Sequence, residues 1–227
     1  MRVVSLVPSI TETLLAWGIT PAACTRFCEQ PDLTHVGGTK DPDLDAIVGI
    51  APDLVLVNDE ENRREDHDAL VELGFDVHVV QVNAVDDVPD AFATLATKLG
   101  VEVDPIVLPT AVPATTAVFV PIWKRPWMSI GSDTYGSSIL AWCGAANVCA
   151  GDERYPELTL EDAAARRPAL VLAPSEPYPF AERHREALET VAPVVFVDGR
   201  DLFWWGARTP GAVERLRALL AEAPVAR

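Results

Sequence analysis

LDAIVGIAPDLVLVNDE (residues 44–60) and LEDAAARRPALVLAPSE (residues 160–176) follow one pattern, repeated 116 positions apart. Leu44, Asp45, Pro52, Leu54, Val55, Leu56 and Glu60 map onto Leu160, Glu161, Pro168, Leu170, Val171, Leu172 and Glu176. In both copies a helical period runs into a proline, then into an unbroken apolar run of strand length, then into an acid. An unbroken apolar run marks a strand covered on both faces, as in a parallel sheet flanked by helices. A second echo pairs TETLLAWG (residues 11–18) with SSILAWCG (residues 137–144), each closing a helix with Ala-Trp ahead of a glycine stop. Together they predict a duplicated lobe plan.

Outward from these stretches the same alternation continues. Strands are expected at Val3–Val7, Leu54–Val57, Val77–Val82, Ala117–Val120, Leu170–Ala173 and Val194–Val197. Helices are expected to begin near Thr11, Asp43, Asn62, Asp86, Thr134, Thr159, Phe180 and Thr209, several of them opened by a capping-type residue. This is an α/β chain of two Rossmann-like lobes, each a short, mainly parallel sheet flanked by helices. GVEVDPIVLPTAVPATT (residues 100–116) holds three prolines and no helical period, so it reads as an extended connector. The lobes then run over residues 1–99 and 117–227.

Composition narrows the function classes. The chain has 227 residues, 49% of them hydrophobic and 23% charged, the balance of an ordinary globular protein. Its 34 acidic and 18 basic residues give a formal charge of −16, which disfavours nucleic acid as a partner because phosphate binding needs a basic face. No apolar run approaches the roughly 18 residues a spanning helix requires, so the chain is not expected to span a membrane. The start carries no basic segment followed by an apolar one; taken as written it places the protein in the cytoplasm, and an incomplete N-terminus would allow an extracytoplasmic one. Cys24, Cys28, Cys143 and Cys149 lack zinc-site spacing and read as reduced thiols, with a disulfide within either pair as the alternative. His35, His67, His78 and His184 are scattered, and no metal site is assigned.

The stretches RVVSLVPSITETLLAWG (residues 2–18), APDLVLVNDE (residues 51–60) and RPALVLAPSEPYPF (residues 167–180) together resemble the helical-backbone, class III, periplasmic-type substrate-binding proteins. That family includes the cobalamin, ferric siderophore and haem receptors of ABC importers. The resemblance covers nearly the whole chain and implies a ligand cleft between two lobes, formed by loops at the strand carboxyl ends, where open α/β sheets hold ligands. It also implies that Glu60 and Glu176, the matched acids of the two lobes, dock on an ABC permease. The family joins its lobes with one long helix, whereas the helix beginning near Asp86 is expected to stop around Gly100.

Candidate ligand contacts sit in the corresponding loops. PIWKRPWMSIGSDTYG (residues 121–136) offers Trp123 and Trp127 to stack on a planar macrocycle or aromatic chelator, with Lys124 and Arg125 to answer carboxylates. DLFWWGARTPG (residues 201–211) offers Phe203, Trp204, Trp205 and Arg208; neighbouring tryptophans in a strand-like segment point opposite ways, so at most one faces a ligand. Tyr155 and Tyr178 lie in loops of the same lobe, and in the first lobe Ser9, Phe27, Cys28 and Glu29 occupy the equivalent places. No phosphate loop, dinucleotide fingerprint, nucleophile elbow or metalloprotease helix is present, so no catalytic residue and no cofactor are assigned. The leading reading is binding of a bulky small molecule, a corrinoid, haem or iron chelate. The alternative is a cytoplasmic enzyme or sensor acting on a tetrapyrrole-like metabolite.

Overall fold

A computed structural model describes residues 1–223. The chain divides into two compact units. The first comprises Met1–Val82, Asp87–Ile106 and Trp205–Arg208; the second comprises Asn83–Asp86, Val107–Trp204 and the chain from Thr209 onward.

In the first unit, strands β1 (Val3–Ser5), β2 (Ala23–Cys24), β3 (Leu54–Asn58) and β4 (Val77–Val80) form a parallel sheet in the order β2-β1-β3-β4. In the second, β5 (Thr116–Phe119), β8 (Ala145–Asn147), β9 (Leu170–Pro174) and β10 (Val194–Val197) form a parallel sheet in the order β8-β5-β9-β10. The two orders are the same when β1 is set against β5 and β3 against β9. Both β3 and β9 begin at the echoed leucines, Leu54 and Leu170, and all five residues of each are buried. An added antiparallel hairpin, β6 (Pro121–Lys124) with β7 (Trp127–Ser129), belongs to the second unit alone.

Helix positions follow local chemistry. Helix α1 (Pro8–Ala16) starts earlier than the expected Thr11 because Pro8 occupies its first turn, where a missing N–H costs nothing. Helix α2 (Leu44–Ile50) is capped by Asp43, whose Oδ1 accepts the Ala46 N–H at 3.0 Å. Its counterpart α6 (Leu160–Ala165) is closed by a reciprocal box between Thr159 and Asp162. Helices α3 (Arg64–Glu72), α4 (Val88–Leu99) and α5 (Tyr135–Trp142) fall where the pattern places them. Helix α4 ends at Gly100, whose φ of 67° supplies the left-handed cap, and residues 101–115 form no helix or strand. The helix expected near Phe180 is instead a 3-10 turn, Glu182–His184, leading into α7 (Arg185–Leu188).

One expectation is corrected outright. The start of DLFWWGARTPG is not strand-like: residues 199–203 form helix α8 (Gly199–Phe203), opened by Asp198, whose Oδ1 accepts the Arg200 N–H at 3.0 Å. The last helix, α9 (Thr209–Glu222), follows after a short turn.

Each unit has its own apolar core. Leu6, Ile47, Val55, Val57 and Leu70 pack in the first, and Phe119, Leu158, Val171, Phe180 and Leu188 in the second. Full burial of each such side chain contributes about 1.5–3 kcal/mol. The first sheet is further tied by two buried asparagines at its carboxyl edge. Asn58 Nδ2 donates to Val80 O at 2.8 Å, Asn58 Oδ1 accepts the N–H groups of Glu60 and Glu61, and Asn62 Nδ2 donates to Thr39 O at 2.9 Å. Asn62 Oδ1 in turn accepts the Asn58 N–H at 2.9 Å, so the strand ends and the loop after β3 hold one another.

Candidate functional site

The site is built in the second unit from the β6–β7 hairpin and the loop leaving β9. Strand alternation buries Ile122 and turns Trp123 outward, leaving it 45% exposed. Trp123 meets Tyr178 edge to face, with ring centroids 5.5 Å apart and planes at 77°. Tyr178 lies 4.8 Å from Phe180 and 5.5 Å from His184, while Trp127 stacks parallel on Phe180 at 6.1 Å. The outcome is an aromatic chain anchored in the core through Phe180, with Trp123 as its free end. Offset and edge-on geometries are those in which aromatic quadrupoles attract.

Beside this chain is a space of about 560 Å³ lined by Trp123, Lys124, Arg125, Tyr178, Arg183 and His184. Among the described residues, Lys124, Arg125 and Arg183 enter no ion pair. Arg183 Nη2 donates to Pro179 O at 3.3 Å, and Lys124 Nζ lies 6.0 Å from the Trp127 ring centroid. Three cations without acidic partners stand out on a chain with a formal charge of −16. Their field acts on buried His184: desolvation first, then the charges of Arg183 and Lys124, push its pKa below the ordinary imidazole value. Its Nδ1 accepts the Ala181 N–H at 3.1 Å, so the proton of the neutral ring belongs on Nε2, which is then a hydrogen-bond donor.

A pH dependence follows. The folded unit keeps His184 neutral, whereas the unfolded chain takes up its proton near pH 6.5. The unfolded state therefore binds more protons below that pH, and stability falls as the pH drops through it. His184→Asn keeps an acceptor for the Ala181 N–H without a titrating ring, and its thermal midpoint should fall less between pH 7 and pH 5 than that of the parent protein.

The remaining candidates are placed elsewhere. Trp204 and Trp205 are 7% and 5% exposed, so both are interior residues and neither is presented as a surface platform. Phe203 packs against Gly136, where an added Cβ would fall 3.1 Å from its ring. Arg208 is paired with Glu12, Nε to Oε2 at 2.9 Å, which corrects its reading as a clamp awaiting an anion. Trp127 faces the core more than the space. Tyr155 lies away from the lining, with Arg154 6.0 Å from its ring centroid. In the first unit Ser9 is fully buried and its Oγ has no partner, Cys28 is buried, and Phe27 and Glu29 are exposed, with Arg26 4.8 Å from the Phe27 ring centroid.

Sequence reading brought forward Trp123, Lys124, Arg125 and Tyr178, which the fold gathers, and missed Arg183 and His184. Those two lie in AERHREAL (residues 181–188), whose helical look hides the 3-10 turn that swings them to the hairpin. The spacing from Phe180 to His184, a helix-like i,i+4 pair, was the available signal.

Comparison with known proteins agrees with this architecture. The pattern of the periplasmic binding protein family matches residues 3–104. The vitamin B12-binding protein of Salmonella paratyphi A is 26% identical over 190 residues, covering 75% of this chain and 71% of that one. That of Vibrio vulnificus strain YJ016 is 23% identical over 194 residues, covering 76% and 71%. Among solved structures, a periplasmic haem-binding protein from Pseudomonas aeruginosa superposes with a TM-score of 0.79 at 18% identity, covering all of this chain and 95% of that one. The periplasmic vitamin B12-binding protein of Vibrio cholerae gives 0.75 at 19% identity, covering 97% and 96%. In fold, duplicated sheet order and the pattern over residues 3–104, the chain is similar to periplasmic binding proteins. It departs from the single long helix that the resemblance implies, because residues 101–115 carry no helix.

Proposed function

We propose that the chain captures a bulky metal chelate of the cobalamin, haem or ferric siderophore kind and carries out no chemistry on it. The observation that carries this reading is the exposed Trp123, braced edge-on by Tyr178, beside a space of about 560 Å³ ringed by Lys124, Arg125 and Arg183. A ring-bearing ligand gains apolar contact from the tryptophan, and unpaired guanidinium groups favour carboxylates or phenolates at its periphery. The cations favour haem or an anionic iron chelate over a corrinoid, whose edge is mostly neutral amide. Relatives named for vitamin B12 and for haem support the general class.

In the same reading the chain serves an ABC permease from the extracytoplasmic side of the membrane, with Glu60 and Glu176 as docking acids. Both are half-buried on loops that hold them in place. Lys40 Nζ donates to Glu60 O at 2.6 Å, and Glu176 lies so close to Gly199 that a Cβ there falls 2.5 Å from its Cγ.

Tryptophan-fluorescence titration of the protein with haemin, cobalamin and a ferric catecholate tests the ligand reading. Saturable one-to-one quenching by at least one of them is expected. Lys124→Gln should weaken binding of an anionic chelate about fivefold at low salt and less at high salt, because its charge acts through a solvent-screened field. An equal loss at all ionic strengths would remove Lys124 from an electrostatic role.

A further inference from the structure

We propose that His184 selects and orients the guest by donating a hydrogen bond from Nε2 to an anionic oxygen of the chelate, a carboxylate or phenolate, and does not ligate its metal. The inference rests on the ligand reading above and adds which group on the guest the site reads. Local structure holds the ring. Its Nδ1 accepts the Ala181 N–H at 3.1 Å, which closes the 3-10 turn Glu182–His184 on itself. Tyr178 and Phe180 each lie 5.5 Å away, with planes at 61° and 77° to the imidazole. A bond on one edge and two rings packed against it fix the orientation before any guest arrives.

With Nδ1 engaged as an acceptor, the neutral ring carries its proton on Nε2. Among the described residues no protein group takes that proton. The unpartnered polar atoms sealed from solvent are Ser9 Oγ, Asp66 Oδ2 and Arg217 Nε, and His184 Nε2 is not one of them. Only 3% of the residue is exposed, yet it lines the space beside Trp123 with Lys124, Arg125 and Arg183. The Nε2 edge therefore opens on that space.

Lys124, Arg125, Arg183 and the Nε2–H are all donors, so the group that matches them is an oxygen acceptor, and the three cations favour a charged one. A guest without that oxygen would leave the Nε2–H desolvated and unpaired, which is how a fixed polar group discriminates. Protonated Nε2 has no lone pair for iron. To ligate a metal the ring would have to move its proton to Nδ1 and give up the bond from Ala181.

Asparagine and glutamine separate the two nitrogens, because the asparagine amide oxygen stands near the Nδ1 position and the glutamine amide nitrogen reaches that of Nε2. The full chain is titrated calorimetrically with haemin and with a ferric catecholate at low and high salt. His184→Asn should bind whichever chelate the parent binds about tenfold more weakly. The factor should be the same at both salt concentrations, because a short-range bond is not screened as a charge field is. His184→Gln should stay within about threefold of the parent even where its thermal midpoint falls. The absorption spectrum of the bound chelate should be identical in parent and His184→Asn. Three results would overturn the proposal and leave chelate capture standing: parent-like affinity in His184→Asn, equal losses in the two variants, or a spectrum altered by loss of a nitrogen ligand. A parent that binds cobalamin but neither anionic probe would do the same, and one that binds none of the three would end both readings.

Discussion

Trp123→Ala is expected to weaken chelate binding about 30-fold, which corresponds to roughly 2 kcal/mol, while leaving the second unit folded. Its ring is 45% exposed and belongs to neither apolar core, so truncation opens no cavity and forfeits little folding energy. What it removes is a broad, rigid surface for the ligand together with the edge contact that orients Tyr178. Trp123→Phe should recover part of the affinity because a smaller ring still meets Tyr178. Isothermal titration reads the affinity and near-ultraviolet circular dichroism reads the packing of the remaining aromatics. Affinity unchanged in Trp123→Ala, with the fold intact, would take this ring out of the site.

Asn58→Ala should lower the thermal midpoint by about 6–12 °C, from a loss of roughly 3 kcal/mol. Few substitutions in this chain strip so many partners at once. The half-buried Glu60 and Glu61 N–H groups lose their acceptor, and the buried Val80 O loses a donor, at the carboxyl edge of the first sheet. Each stranded buried group carries a desolvation penalty of about 1–3 kcal/mol, which local rearrangement offsets in part. Thr97→Ala is the control: its exposed hydroxyl bonds only Ala93 O within its own helix, and a shift within the scatter of surface substitutions is expected. Differential scanning calorimetry of both variants makes the comparison. A drop in Asn58→Ala no larger than in the control would show that the network contributes little.

These two predictions mark where the halves of the chain diverge, and also how far sequence could be read. The repeat offset of 116 predicts the paired strands because burial on both faces demands the same apolar run in each. At the strand ends the offset sets Asn58 against Pro174, and in the loops beyond them Asn62 against Tyr178. In the first unit those positions tie a loop through side-chain amides, whereas in the second the loop is closed by backbone bonds, Phe180 N–H to Pro174 O at 3.2 Å among them, and presents Tyr178 to Trp123. Residue type alone gave no sign of that exchange. Strands β2 and β8 went unread because two or three residues carry no period. Hairpin β6–β7 has the pattern of a loop because its turn, Arg125–Pro126, falls after only four strand residues. Trp204 and Trp205 depart from the alternating reading for a different reason: helix α8 ends at Phe203, and the two rings that follow it are both buried.

The space beside Trp123 was legible in four residues because they are contiguous or lie just beyond a strand end. Arg183 and His184 needed the turn after Phe180, a tertiary feature that packs the His184 ring 5.5 Å from both Tyr178 and Phe180. Arg183 brings the cations at the rim from two, Lys124 and Arg125, to three, and His184 adds a buried imidazole beside them. That change is what moves the expected ligand toward an anionic chelate.

Titrating the intact protein with haemin, a ferric catecholate and cobalamin, in parallel and at two salt concentrations, tests this most directly. Saturable binding of an anionic chelate, tighter at low salt and lost progressively in Trp123→Ala and Lys124→Gln, is the predicted result. Failure of all three to bind, or conversion of any of them to a new product, would contradict the claim that this chain holds a metal chelate without altering it.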